Sequence, residues 1–349
     1  MPIPDLLREL LLASGASGHE EPASRVWREA AAEFATVTSD AMGTSFARVE
    51  AGGHATLALL GHIDEIGVAI THIDSGGLLS FSLLGSMEAE MLAGQRVVIA
   101  GREGSVDGVI VPRMISHSER RERSGLRLSD LHIDIGAVDG EEADARVALG
   151  APGVWKGDPI ELPNGRIASK SLDNRVGAYV VLEAARRIAA SGGSKVDVVA
   201  VATVQEELAH QGARTAAFTL EPEFALAVDV TWTTDVPGGN PRRAGRIDLG
   251  SGAAITLGPV INRNVSNLLG KVAEEEKIPH AFEVWPGRTS TDADDVHVSR
   301  GGVPTGLVSV PVRYMHSPCE IASLDDLESA IRLVVAFAAR LTPETTFVR

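Results

Sequence analysis

Residues 196–208, VDVVAVATVQEEL, constrain this chain more than any other stretch. Residues 196–204 are almost unbroken apolar and β-branched. That is the pattern of a strand buried on both faces inside a parallel sheet, and it points to the α/β class. The run ends in Gln205, Glu206 and Glu207, so two adjacent carboxylates stand at the strand's carboxyl end. Open α/β sheets hold their ligands outside that end. Two acids there repel each other unless a cation or a proton-transfer task accounts for them. One acid on a metal and the other moving protons is the functional reading. Taken alone, the pair also suits the first turn of a solvated helix, favoured by the helix dipole.

Composition narrows the classes. The chain has 349 residues and 44% hydrophobic content, enough for a full core without disulfide staples. The single cysteine, Cys319, has no internal partner, which suits a reducing compartment. A net charge of -15 argues against nucleic acid and against an anionic membrane as partners. No apolar run approaches the ~18 residues of a membrane span. Residues 1–15 carry Asp5, Arg8 and Glu9 within an apolar pattern and read as an amphipathic helix ending near Gly15 rather than a signal peptide. A soluble, cytoplasmic protein is expected.

Along the chain, a second helix is expected over roughly 21–34, with Pro22 near its start, followed by strands near Thr36 and Phe46. Residues 55–60 read as another buried strand, delivering His62, Asp64 and Glu65 at its end. In extended chain, positions two apart share a face, so Asp64 could orient the His62 imidazole and fix its tautomer. From about His72 to Gly165 glycines punctuate short β-rich runs, as in a small β-domain with tight turns. Residues 117–127 read as an exposed connection within it, and His117 and His132 as residues of that domain rather than ligands. The α/β texture returns with a helix over 175–190, preceded by Asp173, whose structural role would be that of an N-cap. Residues 224–232 form another apolar strand carrying Asp229, and 306–311 one more, leading to His316. Ser323 is placed as N-cap of the last helix, with Asp325 and Asp326 in its first turn.

Several separate strands thus end near His62, Glu206, Glu207, Asp229 and His316, with Asp173 ahead of a helix. Two imidazoles and several carboxylates on one rim suit Zn²⁺, Co²⁺ or Mn²⁺. A metal pair needs one bridging carboxylate, ligands for each ion and a free acid as base.

The motifs GHIDEIG (61–67), SLDNRVG (171–177), VQEE (204–207), AVDVT (227–231) and RYMHSP (313–318) stand in order along the chain. In them the chain resembles the M42 metallo-aminopeptidases, relatives of glutamyl aminopeptidase and tetrahedral aminopeptidase, over essentially its whole length. The resemblance implies a three-layer α/β/α zinc-exopeptidase-like (phosphorylase/hydrolase-like) catalytic domain with an inserted small β-domain. Residues 1–70 and 166–349 would form the discontinuous catalytic domain, and 71–165 the inserted β-rich domain that drives dimerisation and oligomerisation. It further implies two divalent ions per subunit, Zn²⁺ or Co²⁺ foremost and Mn²⁺ as a further candidate. Asp173 would bridge them, His62 and Asp229 would complete one site, and Glu207 and His316 the other. Glu206 would be the general base and acid, Asp64 would support His62, and the Asp173–Asn174 peptide would be cis.

The activity implied is that of an aminopeptidase (EC 3.4.11) removing the N-terminal residue of short peptides through a two-metal-activated water. The assembly implied is a homododecamer built from dimers. Two departures stand out. Asp294 and Asp295 occupy positions where relatives more often carry small or neutral residues, leaving open a preference for basic substrates or mere exposure to solvent. Cys319 replaces a common aliphatic residue. Three other functions compete: a cysteine hydrolase on Cys319 and His316, an endoglucanase-like glycosidase on Glu206 and Glu207, and a non-catalytic assembly scaffold. Adjacent acids on one strand end seldom flank a glycosidic bond from opposite faces. P-loop, dinucleotide-binding, serine-hydrolase and HExxH motifs do not occur.

Overall fold

A computed structural model of the chain describes residues 2–52, 55–114, 125–192 and 194–348. The chain begins with helices α1 (Asp5–Leu12) and α2 (Glu21–Ala31), then strands β1 (Thr36–Ser39), β2 (Ser45–Val49) and β3 (Thr56–His62). Next come β4 (Gly67–Ile73), β5 (Leu79–Leu84), α3 (Ala89–Leu92), β6 (Arg96–Gly101), β7 (Gly104–Pro112), β8 (Leu131–Asp134), α4 (Gly140–Arg146) and β9 (Pro152–Trp155). Then follow β10 (Ile160–Leu162), β11 (Arg166–Ser169), α5 (Leu172–Ser191), β12 (Asp197–Thr203), α6 (Glu206–Ala209), α7 (Gln211–Leu220) and β13 (Phe224–Trp232). The chain ends with α8 (Pro241–Ala244), β14 (Ala253–Leu257), α9 (Arg263–Glu275), β15 (His280–Val284), α10 (Ala293–Val296), β16 (Thr305–Arg313), β17 (Glu320–Ser323) and α11 (Leu324–Ala338).

The larger sheet runs β1-β2-β12-β3-β13-β16-β17-β11-β10, with β14 beside β16 and β15 beyond β14. Its centre, β12, β3, β13 and β16, is parallel throughout. These are the strands with near-continuous apolar sequence, because side chains on both of their faces are buried. Alternation along β3 shows the two destinations: Leu57 and Leu59 join a core with α1, α5 and α11, while Ala58 and Leu60 join another with α7. Parallel order brings the carboxyl ends of all four strands to one edge of the sheet.

The second sheet is a closed barrel, β4-β5-β8-β7-β6-β9, with its own apolar core around Val68, Ile99, Ile110 and Ile133. Closure leaves no free sheet edge. His132 lies on barrel strand β8, half-buried. The expected connection at 117–127 falls largely outside the described residues, as does His117. Among the described residues, no helix is long and apolar enough to cross a membrane. Ser323 does precede α11, but its hydroxyl makes no cap hydrogen bond; Asp326 turns away to accept the amides of Gly250 and Gly252.

Candidate metal centre

His62 is the last residue of β3, buried, and its Nε2 lies 3.1 Å from Asp173 Oδ1. Strand β12 stops one register position alongside, pairing Thr203 with His62, and the next turn carries Glu206 and Glu207. Asp229 sits within β13, opposite Ser309 of β16, rather than at the strand's end. His316 follows β16 in a left-handed backbone conformation and brings its Nε2 to 3.3 Å from Asp173 Oδ2. Asp173 thus turns one carboxylate oxygen to each imidazole.

The Asp173 side chain is free for this because it does not cap the helix that follows. The Asp173–Asn174 peptide is cis, and both residues lie off helical geometry. Asn174, not Asp173, caps the helix: its Oδ1 accepts the Gly177 N–H at 2.9 Å, and its Nδ2 donates to Val228 O on β13 at 2.9 Å.

Two groups of potential ligand atoms emerge, His62 with Asp173 and Glu207, and His62 with Glu206 and Asp229. Within each, the atoms lie within 4.8 Å of one another. His62 is common to both, so the grouping differs from that expected from the motifs, where Glu206 is kept apart and His316 pairs with Glu207.

The electrostatics fit a cation. Burial raises the pKa of Glu206, Glu207 and Asp229 well above the carboxylate range, and neighbouring acids add to this. Burial opposes charge on His62, yet Glu206, Asp173 and Asp64 overcome it and drive its pKa up. Burial likewise opposes ionisation of Asp173, but His316 and His62 hold its pKa below the usual range. Glu207 Oε1 is buried without a hydrogen-bond partner. A crowd of buried acids with an orphaned oxygen is what divalent ions compensate.

Asp64 lies beside His62, with Oδ1 3.3 Å from His62 Nδ1. Asp64 also accepts the amides of Glu206 and Glu207 at 3.1 and 3.2 Å and the Ser17 hydroxyl at 2.5 Å, fastening the Glu206 turn to the end of β3. Its neighbour Glu65 lies in a buried ion cluster with Lys170 at 2.5 Å and Arg175 at 3.3 Å.

Four residues around the centre escape sequence reasoning. Glu320 accepts the backbone N–H of Asp173 at 2.9 Å and of His316 at 3.0 Å, tying both segments together. Asp292 is buried, with one oxygen bonded to the Thr203 hydroxyl at 2.5 Å and the other unpartnered. Glu283 accepts hydroxyls from Thr231, Thr256 and Ser309, joining four strands at the floor of the adjoining cavity. His210 faces Glu206 at 3.3 Å.

Asp294 and Asp295 are neither solvent-facing nor free. Both are buried, and they pair with Arg288 at 3.0 Å and Arg214 at 2.8 Å. Cys319 is exposed, with Ser317 Oγ at 3.9 Å as its contact.

The centre opens into a cavity of about 460 Å³ whose walls include Trp232, Trp285, Leu307 and Met315, with Arg243 among its polar residues. A larger cleft, about 690 Å³, lies between the N-terminal segment and the barrel, away from these ligands. The smaller cavity is the one that meets reactive groups.

Residues 43–333 match the family described as M42 glutamyl aminopeptidase. The chain is 31% identical over 349 residues to a lysyl aminopeptidase of Pyrococcus furiosus, covering 97% of each. It superposes on the TET aminopeptidase of the marine sediment archaeon Thaumarchaeota archaeon SCGC AB-539-E09 with a TM-score of 0.92, at 32% identity, covering 97% of this chain and 96% of that one. It is also similar to the Pyrococcus horikoshii TET1 peptidase, described as assembling into a tetrahedron or a large octahedral shell, with a TM-score of 0.85 at 29% identity, covering 97% of this chain and 99% of that one.

Proposed function

Since the chain belongs to the M42 glutamyl aminopeptidase family and is an aminopeptidase, we propose that His62, Asp173, Glu207, Asp229 and His316 hold two divalent metal ions, and that Glu206 moves the protons of peptide hydrolysis. The observation that carries this is the division of Asp173, one oxygen toward His62 and the other toward His316. A carboxylate that faces two imidazoles in this way is suited to bridge. Bound there, the ions would supply Lewis-acid polarisation of the scissile carbonyl and an acidified water.

This chain's own residues do the rest. Glu206 is buried, and its Oε2 faces the ligand groups at 3.7 Å from His62 Nε2. From there it takes a proton from the attacking water and returns it to the leaving amine. The free amino terminus needs a carboxylate or a metal to hold it beside the reacting bond, which confines cleavage to the first peptide bond of short peptides. Cavity walls of Trp232, Trp285, Leu307 and Met315 exclude water from the residue being removed. An endoglucanase-like reading would leave both imidazoles idle.

Two finer features belong to the same proposal. The barrel, whose strands run from Gly67 to Trp155, is read as a small domain inserted into a three-layer α/β/α catalytic domain. Self-association into a homododecamer built from dimers is supported by the likeness to TET1.

Glu206→Gln tests the role of the base: release of the N-terminal residue should fall about 10²–10⁴-fold with metal content unchanged. Near-normal rates would exclude it. His316→Ala should lose metal and activity together; full metal stoichiometry in that variant would move the ligand elsewhere.

A further inference from the structure

Asp295 leads back to the base. Asp295 takes two N–H bonds from Arg214 on Oδ1, at 3.1 and 2.8 Å, and presents Oδ2 to His210 Nδ1 at 3.0 Å. An ionised carboxylate only accepts, so the His210 proton sits on Nδ1 and Nε2 is left for another partner. That partner is Glu206, whose Oε1 lies 3.3 Å from Nε2. With Glu206 ionised, as a base must be, an N–H on Nε2 turned toward Oε1 is what would hold that oxygen.

The backbone delivers the ring to this place. His210 lies between α6 and α7 with φ 53°, and its N–H returns to Glu206 O at 3.0 Å. The residue therefore folds back over the turn that carries the base. Arg288, paired with Asp294, stands beside the ring at 3.5 Å from Nδ1. The chain Arg214–Asp295–His210–Glu206 runs from an exposed guanidinium to a buried carboxylate.

We propose that His210 is a positioning residue that anchors Oε1 of Glu206, so that Oε2 faces the metal ligands, and that Asp295 holds the ring in the orientation this requires. The proposal rests on Glu206 being the base. A glutamate has three rotatable side-chain bonds, and an anchor on one oxygen removes most of the orientations in which the other misses the reacting water.

The test compares zinc-loaded wild type with H210N, H210Q and D295N. Asn tolerates the left-handed backbone but its amide ends short of Glu206, whereas Gln reaches about as far as Nε2. H210N should lower kcat about 10–100-fold, with KM within about twofold of wild type, and with zinc content and thermal midpoint unchanged. H210Q should recover part of the loss. D295N should lower kcat as well, and the double variant H210N/D295N should be no slower than H210N alone. Ring-nitrogen NMR of the zinc-loaded protein should show a ring protonated at Nδ1 that disappears in H210N and changes in D295N. If H210N fails to fold, D295N and the ring spectrum carry the test.

A kcat for H210N within about twofold of wild type, a loss confined to KM, or a fall in zinc content would overturn the proposal. E206Q separates it from the reading beneath. E206Q inactive beside an unimpaired H210N would sink the role of His210 alone. Full activity in E206Q would remove the base assignment and this inference with it.

Discussion

His62 Nε2 lies 3.1 Å from Asp173 Oδ1, although the two stand 111 positions apart in the chain. Two glycines allow the approach. A Cβ on Gly61 would lie 2.6 Å from the backbone carbon of Gly177, so helix α5 presses directly onto strand β3. A Cβ on Gly177 would meet Asn174 Oδ1 at 2.2 Å and Val228 O at 2.5 Å. The helix start, its capping asparagine and the strand carrying Asp229 are packed around an absent side chain.

Gly177→Ala should therefore cost about 1–3 kcal/mol of stability, as overpacking of a tight core does. It should also weaken zinc binding, since Asp173 moves with the helix start. Chemical denaturation and zinc titration check both, and an alanine variant as stable and as tight as wild type would show that the contact yields without consequence.

Much of this arrangement can be read from residue order alone. The apolar strands before His62 and Glu206 announce themselves, because burial on both faces leaves no polar positions within them. The proposed ligands stand out because the acids and histidines lie close to where such runs stop. Asp229 is displaced inward along its strand, yet it lies near enough to that end to be picked out. Asp173 is ambiguous in sequence: an acid ahead of a helix is most simply a cap, and only the geometry shows Asn174 taking that task. Glu320, Asp292, Glu283 and His210 are illegible for a common reason. Each acts through a partner brought near by sheet order or by a left-handed turn, and neither leaves a periodic trace. Asp294 and Asp295 look like departures of composition until Arg288 and Arg214 appear beside them.

Glu320 is the next residue to change. Its two oxygens accept the amides of His316 and Asp173, so the segments that carry two proposed ligands hang on one side chain. Glu320→Gln replaces one acceptor with an N–H donor facing an N–H. Zinc affinity should fall about 10–100-fold, the usual cost of losing a group that orients a ligand. Competition with a chromophoric chelator measures this, and unchanged affinity would show that the two segments hold themselves.

Asp326 makes a pH-dependent contribution away from the centre. Burial raises its pKa to about 6, against two amide bonds from Gly250 and Gly252 that favour the charge. The folded state then binds more protons at this site than the unfolded state between the ordinary aspartate value of 3.8 and about 6. Stability from this group falls as pH rises through that window and is level above it. In Asp326→Asn the decline should flatten by about 1–3 kcal/mol. Denaturation curves at several pH values, wild type against variant, give the difference directly. Parallel curves would place the Asp326 titration at its ordinary position.

The central claim is that five side chains drawn from distant parts of the chain grip a pair of cations. Anomalous diffraction at the zinc edge, on crystals of the zinc-loaded protein, tests it most directly. Two peaks are expected, both touching Asp173, one reached by His62 and Asp229 and the other by Glu207 and His316, at about 2.0–2.2 Å from the ligand atoms. Glu206 should stand outside both coordination spheres. A single peak, peaks elsewhere, or Glu206 serving as a ligand would contradict the account.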